Sequence, residues 1–384
     1  MGIGNLSAAQ YGGAVSSLPI DSHPSSPSLD AMLDDLRTLV EIESPSRDRA
    51  ALQASAEALA AMIERLLGRP ATLIDSPVGP HVHWSGGGPP KVLLLGHHDT
   101  VFPIGALAAR PFTVADGRVT GPGVFDMLGG IVQALHGLAT LEDLSGVELL
   151  FSADEEVGSV DSRALIEERA RACGAVLVLE PSADGGALKT GRKGCGTFEV
   201  IVHGRAAHAG LEPEKGVNAL VEAAHQVLAI SRIARPEVGT TVTPTVAAVG
   251  TTDNVVPASG TVIVDVRVES DDEKRRVEAE MAALGPVDPH AVVEVRGGIN
   301  RPPMPTSASA ALWPLAQEVA PGIEGFPVGG GSDGNFTAAI GVPTLDGLGA
   351  VGGGAHADHE YVVVDTMPAR AHLIAGLVAR ICDR

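Results

Sequence analysis

Aromatic residues make up only 3% of this 384-residue chain, cysteines number three, and Lys and Arg together reach 27 against 47 Asp and Glu. Each shortage narrows the range of functions. A formal net charge of −20 argues against binding phosphate backbones, which relies on clustered Lys and Arg that release counterions, so no nucleic-acid partner is expected. Cys173, Cys195 and Cys382 are odd in number and far apart, and read as reduced thiols acting as small hydrophobes rather than as a disulfide framework. No run of residues approaches the roughly 18 uninterrupted apolar positions of a membrane span, so no membrane partner is expected. Residues 1–28, rich in Ser, Gly, Ala and Pro, lack the basic and apolar regions of a secretory signal. They read as a flexible N-terminal arm, and a cytoplasmic location is expected.

Hydrophobic residues are abundant, at 45%, and largely aliphatic. The length exceeds the about 250–300 residues at which one core usually stops growing, so two domains are expected. From Leu29 to Leu67 the apolar spacing is that of helix, turn, helix. Strands at Lys91–Leu95, Val147–Ala153 and Ala175–Leu179 alternate with helices at Gly129–Leu141 and Ser162–Ala172. That order implies an α/β, doubly wound and mostly parallel sheet. After Gly194 the pattern becomes strand, helix, strand, strand, helix, strand, ending near Arg296, which is the split βαβ order of a small ferredoxin-like α+β domain. The helices Ser307–Val319 and Thr366–Ile381 and the strand Val342–Leu345 then restore the first pattern. A catalytic domain of residues 29–194 and 303–384, interrupted by an inserted domain of residues 195–302, is the expected organisation.

Acidic and imidazole side chains gather where these strands end. Gly96-His97-His98-Asp99 follows the first strand, Glu155 and Glu156 the second, and Glu180 the third. Open α/β sheets bind ligands at the carboxyl ends of their strands. Asp126 lies directly before a helix that it could simply cap, and His97 and His98 could be solvated loop residues. His356 sits in the glycine-rich segment Gly352-Gly353-Gly354-Ala355-His356. His97, Asp126, Glu156, Glu180 and His356 make an oxygen-and-imidazole set without thiolate, suited to zinc, cobalt or manganese. Five ligands exceed one tetrahedral site, whereas two cations about 3.5–4 Å apart and sharing Asp126 would use them all. Asp99, two residues from His97, can accept the free imidazole N–H and fix its tautomer. Of two adjacent glutamates, one can hold a metal while the other moves a proton.

In this order, GHHDTV at 96–101, GPGVFDMLGG at 121–130, SADEEVGS at 152–159, LVLEPS at 177–182 and GGGAHADHEYV at 352–362 resemble a dizinc metallopeptidase family. That family comprises glutamate carboxypeptidase, the acetylornithine and succinyl-diaminopimelate deacylases, and aminoacylase. The resemblance spans roughly residues 30–382, and Glu180, in place of aspartate, points to the glutamate carboxypeptidase branch.

The resemblance implies two zinc ions (or cobalt or manganese), His97, Asp126 and Glu180 holding one and Asp126, Glu156 and His356 the other. It implies Glu155 as general base, Asp99 as the orienter of His97, and a cis peptide at Asp126–Met127. In HGRAAHAGLEPEKGVNALVEA at 203–223 it implies that His208 reaches the active site of a partner subunit, hence a homodimer through the inserted domain. Asn254 and Arg267, in DNVVPASGTVIVDVR at 253–267, and Gly330, Gly331 and Ser332, in GGGSDGN at 329–335, are implied to meet the substrate, with Arg301 a further candidate. An arginine in an apolar strand could equally pair with an internal carboxylate. His98 and His359 are expected beside the metals or in solvent, and Arg192 and Lys193 are either functional or ordinary solvated basic residues.

The implied function is metal-dependent cleavage of the amide bond to an amino acid with a free carboxylate, C-terminal glutamate or an N-acyl amino acid. The alternative within the family is an N-acyl-diamino-acid deacylase. Gly330-Gly331-Ser332-Asp333-Gly334 also matches the nucleophile elbow of serine hydrolases, but Phe326-Pro327-Val328 reads as a poor strand to precede one. A metal-free binding relative is the remaining alternative, disfavoured because every ligand type and the base are present.

Overall fold

A computed structural model describes residues 27–383, so the N-terminal arm lies, but for its last two residues, outside the described part. The chain enters through two helices whose ends are written in their capping residues. Ser28 accepts from the Ala31 N–H to start Leu29–Val40, and Asp48 accepts from Ala51 N–H to start Arg49–Leu67, which Gly68 closes in the left-handed conformation at φ 74°. Met32, Leu36, Leu39 and Val40 of the first and Leu52, Ala56, Leu59 and Ile63 of the second recur at helical spacing and are buried.

These helices cover one face of a six-stranded sheet of order Thr72–Ile74, His81–Ser85, Val147–Ser152, Val92–His97, Ala175–Val178, Thr344–Leu345. The last four strands run parallel and the first two antiparallel. Side chains of the central strand alternate between faces. Val92 and Leu94 join the core under the entry helices and Gly129–Leu138, while Leu93 and Leu95 join a second core with Ile166, Ala170 and Val342. Burial on both faces explains why this strand is apolar throughout.

The strands Thr72–Ile74 and His81–Ser85 were not expected from the sequence; they are short, and Val82 and Trp84 are buried beside His81. A small antiparallel sheet of Gly352–Gly353, Tyr361–Val363, Arg118–Thr120 and Thr113–Ala115 was equally unforeseen. Gly325–Val328 corrects the reading of a poor strand: it pairs in parallel with Leu188–Arg192, a register shift between Phe326 and Pro327 accommodating the proline.

Between Gly194 and Arg301 the chain builds a separate four-stranded antiparallel sheet, of order Thr241–Val249, Ser259–Val268, Gly194–His203, Val292–Arg301. The helices Ala219–Ile230 and Asp271–Ala282 pack on one face, closing their own core around Val200, Val202, Val264, Val266, Val277 and Met281. Ser270 caps the second helix, whose first turn carries Asp271, Asp272 and Glu273. Outgoing and returning segments pair at the crossing, where Arg192 and Met304 exchange both backbone hydrogen bonds at 2.9 Å. Asn335 ties the crossing down, its amide donating to the carbonyls of Lys193 at 3.1 Å and Pro302 at 2.7 Å.

Candidate metal centre

Three parallel strands deliver their functional residues at one edge. Val92–His97 ends on His97 itself; Val147–Ser152 is followed by a turn carrying Glu155 and Glu156; Ala175–Val178 is followed closely by Glu180. Asp126 comes from an irregular turn, Val124–Leu128, with a cis Asp126–Met127 peptide as the resemblance implies. His356 comes from the turn of the Gly352–Val363 hairpin, at φ 63°, a left-handed conformation that few non-glycine residues adopt.

Asp126 stands between two groups. Its Oδ1 lies 3.4 Å from His97 Nε2, which is 3.5 Å from Glu180 Oε1; its Oδ2 lies 3.3 Å from His356 Nε2, which is 3.1 Å from Glu156 Oε2. Two donors at about 2.0–2.2 Å from one cation and a tetrahedral angle apart are roughly 3.3–3.6 Å from each other. In each group the two His–carboxylate spacings match that geometry, with Asp126 common to both; two sets of donors lie wholly within 4.8 Å of one another, His97, Asp126 and Glu156, and His97, Glu155 and Glu180. His97 Nε2 and Glu156 Oε1 are buried and have no hydrogen-bond partner. Buried polar atoms are rarely left so, and a cation at each group would satisfy them. The donor set fits two divalent metals.

The charge balance of the protein alone shows the same need. Burial would lower the His97 pKa, but Asp126, Asp99 and Glu180 together hold it well above the ordinary value. Asp126 and Glu156 push His356 up to about 10. Burial notwithstanding, His356 and His97 keep Asp126 well below the usual carboxylate range.

The two adjacent glutamates are separated by their partners. Glu156 faces His356, whereas Glu155 Oε1 accepts from Arg301 Nη2 at 2.8 Å. Burial drives the Glu155 carboxyl well above its ordinary pKa, an effect that Arg301 and His97 only partly offset. Asp99 is fully buried and differs from expectation in detail: its backbone carbonyl lies 2.9 Å from His97 Nδ1, while its carboxylate is 3.5 Å away. That carboxylate instead accepts from Ser46 Oγ at 2.7 Å and from the backbone N–H groups of Glu155 and Glu156 at 3.2 and 3.3 Å. Asp99 therefore ties the His97 strand end to the two-glutamate turn.

The other expected residues are distributed differently. Arg301, read as a substrate contact, is committed inside the protein: besides Glu155 it donates to Ser159 Oγ at 2.9 Å and Asp333 Oδ1 at 3.3 Å. Arg267 pairs with Asp265 at 2.9 Å and remains about one-third exposed, standing in one cross-strand row with Cys195 and Arg301. Ser332 is fully buried and donates to Asp346 Oδ2 at 2.6 Å while accepting from Gly334 N–H. This burial, not a missing strand, removes the serine-nucleophile alternative and takes the Ser332 hydroxyl away from any substrate. Gly330 and Gly331 turn their carbonyls to Arg192 at 3.0 and 3.2 Å, and a side chain on Gly331 would strike Cys195 Sγ. His208 and Asn254 are exposed neighbours on the inserted unit, joined through the Ala209 N–H to Asn254 carbonyl bond, and neither touches the cluster of their own chain. His98 is a core residue, bonded to Ser55 and the Pro80 carbonyl.

Three contributors, Asp333, Asp346 and Glu360, escaped sequence reasoning, and Arg192, which sequence left between a functional and a solvated role, joins them. Arg192 is buried, doubly bonded to Asp346 at 2.7 and 2.9 Å, and 3.4 Å from Glu180 Oε2. Asp333 anchors Arg301. Asp346, like Glu180, follows the end of a parallel strand, a signal that was available. Glu360 accepts from three backbone N–H groups beside Asp126, and burial raises its carboxyl to about 7 despite them.

Known proteins carry the same architecture. The family model for Peptidase family M20/M25/M40 matches residues 93–380. Carboxypeptidase G2 of Pseudomonas sp. (strain RS-16) is 34% identical over 91% of this chain and 88% of its own length. Succinyl-diaminopimelate desuccinylase of Stenotrophomonas maltophilia (strain R551-3) is 29% identical over 77% of this chain and 85% of its own. Among solved structures, a Bacillus subtilis protein described as a dinuclear metal binding peptidase from the M20 family superposes with a TM-score of 0.64 at 15% identity, covering 92% of this chain and 98% of that one. The chain belongs to peptidase family M20/M25/M40 and is a hydrolase of peptide or amide C–N bonds.

Proposed function

We propose that this protein is a two-metal carboxypeptidase or amidohydrolase that releases an amino acid with a free α-carboxylate, with C-terminal glutamate or an N-acyl amino acid as the preferred substrate class. The observation that carries the reading is the position of Asp126, whose two oxygens face two separate His–carboxylate pairs at 3.4 and 3.3 Å. His97, Asp126 and Glu180 would hold one zinc and Asp126, Glu156 and His356 the other, with cobalt or manganese as possible substitutes. When bound, such cations polarise the scissile carbonyl and make a water acidic at neutral pH. Glu155, beside His97 and Glu180 but held by Arg301, takes the proton of the attacking water and returns it to the leaving nitrogen. Arg301 and Asp333 hold Glu155 in place. The 34% identity to a carboxypeptidase supports this reading.

Recognition of the α-carboxylate falls to Arg267, Asn254 and the Gly330–Gly331 backbone. Arg267 is the only one of these with a positive charge, and its exposed guanidinium can exchange Asp265 for a substrate carboxylate. His208 lies on the inserted unit without contact to its own cluster, which supports its acting at the site of a second copy. The helix Ala219–Ile230 exposes Leu220, Val221 and Leu228, and the edge strand Thr241–Val249 exposes Val246, an apolar face suited to a homodimer. An N-acyl-diamino-acid deacylase is the second reading, favoured by 29% identity to desuccinylases. Assaying the zinc-loaded protein for amine release from C-terminal-glutamate peptides, acetyl and succinyl amino acids, and acyl diamino acids separates the two. Highest kcat/KM on an acyl diamino acid overturns the first reading.

A further inference from the structure

Glu360 is 1% exposed and stands four residues after His356, immediately before the strand Tyr361–Val363 that closes the His356 hairpin. Its side chain leaves that hairpin and enters the neighbouring turn. Oε1 accepts from the backbone N–H of Phe125 at 2.8 Å and of Asp126 at 2.9 Å, and Oε2 from that of Gly123 at 3.0 Å. These N–H groups belong to the cap and first residues of the turn Val124–Leu128, where no carbonyl of the turn itself can accept from them, and the turn departs from helical geometry at Asp126 (φ −114°, ψ 94°) and Met127. One carboxylate thus gathers three N–H groups of the segment that carries the shared candidate ligand, from the hairpin that carries another.

We propose that Glu360 is the positioning residue of the metal centre: by holding the backbone at 123–126 it fixes Asp126 midway between the two His–carboxylate pairs and locks the His356 hairpin to the Asp126 turn. The inference rests on the two-metal reading above. Because Asp126 belongs to both groups, a shift of its backbone weakens both ions together. A glutamine keeps the shape but places an NH₂ opposite at least one N–H, donor against donor. An aspartate keeps the charge but is one methylene too short to reach all three.

A matched control exists in the inserted unit. Glu222, also 1% exposed, accepts from the backbone N–H groups of Val287 and Asp288 at 2.9 Å, far along the chain from any candidate ligand. The metal-stripped protein and its Glu360→Gln, Glu360→Asp and Glu222→Gln variants are titrated with Zn²⁺ against a chromophoric chelator, with thermal melting of the metal-free forms alongside. The expected result is two ions per unaltered chain, both weakened about tenfold or more in both Glu360 variants, and unchanged zinc affinity in Glu222→Gln even where its melting temperature falls. Zinc binding as tight as in the unaltered chain in both Glu360 variants overturns the proposal. So does tight binding in Glu360→Asp alone, which would make charge rather than placement the cause. Weakening of a single ion, or equal weakening in Glu222→Gln, overturns it as well. Should Glu360→Gln fail to fold, Glu360→Asp decides by the same criteria. Failure of the unaltered chain to bind two ions is a different result, and overturns the reading on which the proposal stands.

Discussion

Glu155 and Glu156 are adjacent and chemically identical, with side chains largely withdrawn from solvent, so exchanging one carboxylate for an amide at each position tests whether their surroundings divide their roles. Glu155 Oε1 meets Arg301 at 2.8 Å, and Glu156 Oε2 meets His356 at 3.1 Å. In Glu155→Gln the amide oxygen can still accept from Arg301, and Arg301 keeps Ser159 at 2.9 Å and Asp333 at 3.3 Å, so the fold and the two ligand groups persist. What is lost is the proton acceptor. General-base catalysis contributes about 10²–10⁴-fold, or roughly 2.7–5.4 kcal/mol of barrier, and kcat should fall by that factor with two ions still bound. Glu156→Gln should show the reverse order of effects: an ion is lost first, and added metal restores part of the rate. The assay is kcat for amine release at saturating zinc, beside metal content by plasma emission after dialysis. Loss of an ion in Glu155→Gln, or a kcat within tenfold of the unaltered enzyme, would refute the assignment.

Four further outcomes follow from the same structure. Mixing inactive His208→Ala with inactive Glu155→Gln should restore about a quarter of full activity, since half of the randomly assorted dimers then hold one intact site; no recovery after subunit exchange excludes a histidine acting across the dimer. With His356 raised to about 10 by Asp126 and Glu156, the metal-free protein carries a proton there at pH 7 that zinc must displace. Zinc affinity should therefore rise with pH toward about 10, calorimetric enthalpies should depend on the buffer's ionisation heat, and buffer-independent enthalpies would contradict this. The same ion pairs stabilise the metal-free fold fully below the ordinary histidine value near 6.5 and are lost as pH rises through about 10. Leu94→Ala, in the fully buried central strand, should cost about 2–5 kcal/mol by chemical denaturation, and a loss under 1 kcal/mol would speak against its place in the core.

Much of the candidate cluster was legible because it is announced locally: an apolar run ends and an acid or histidine follows, at His97, Glu155, Glu156 and Glu180, whereas Asp126 and His356 sit in turns that no such run announces. The alternating strands and the insertion were legible for the same reason, since period and order are properties of short segments. What sequence could not show depends on pairings across long stretches of chain. Arg301 meets Glu155 over a separation of 146 residues, and nothing in the pattern around either predicts it. Ser332 lies in a glycine loop that looks accessible, and its burial follows from Asp346, fourteen positions on. The strands Thr72–Ile74 and His81–Ser85 are too short for a period, and gain their place from pairing, His81–Ser85 with Val147–Ser152 and Thr72–Ile74 with His81–Ser85.

Counting ions in Asp126→Ala tests the shared ligand most directly. Metal-loaded unaltered protein, His356→Ala and Asp126→Ala are dialysed at one zinc concentration and their content measured per chain. The geometry of Asp126, with one oxygen toward each His–carboxylate pair, predicts two ions in the unaltered protein, one in His356→Ala and none retained in Asp126→Ala. One ion in the unaltered protein, or two kept in Asp126→Ala, would contradict it.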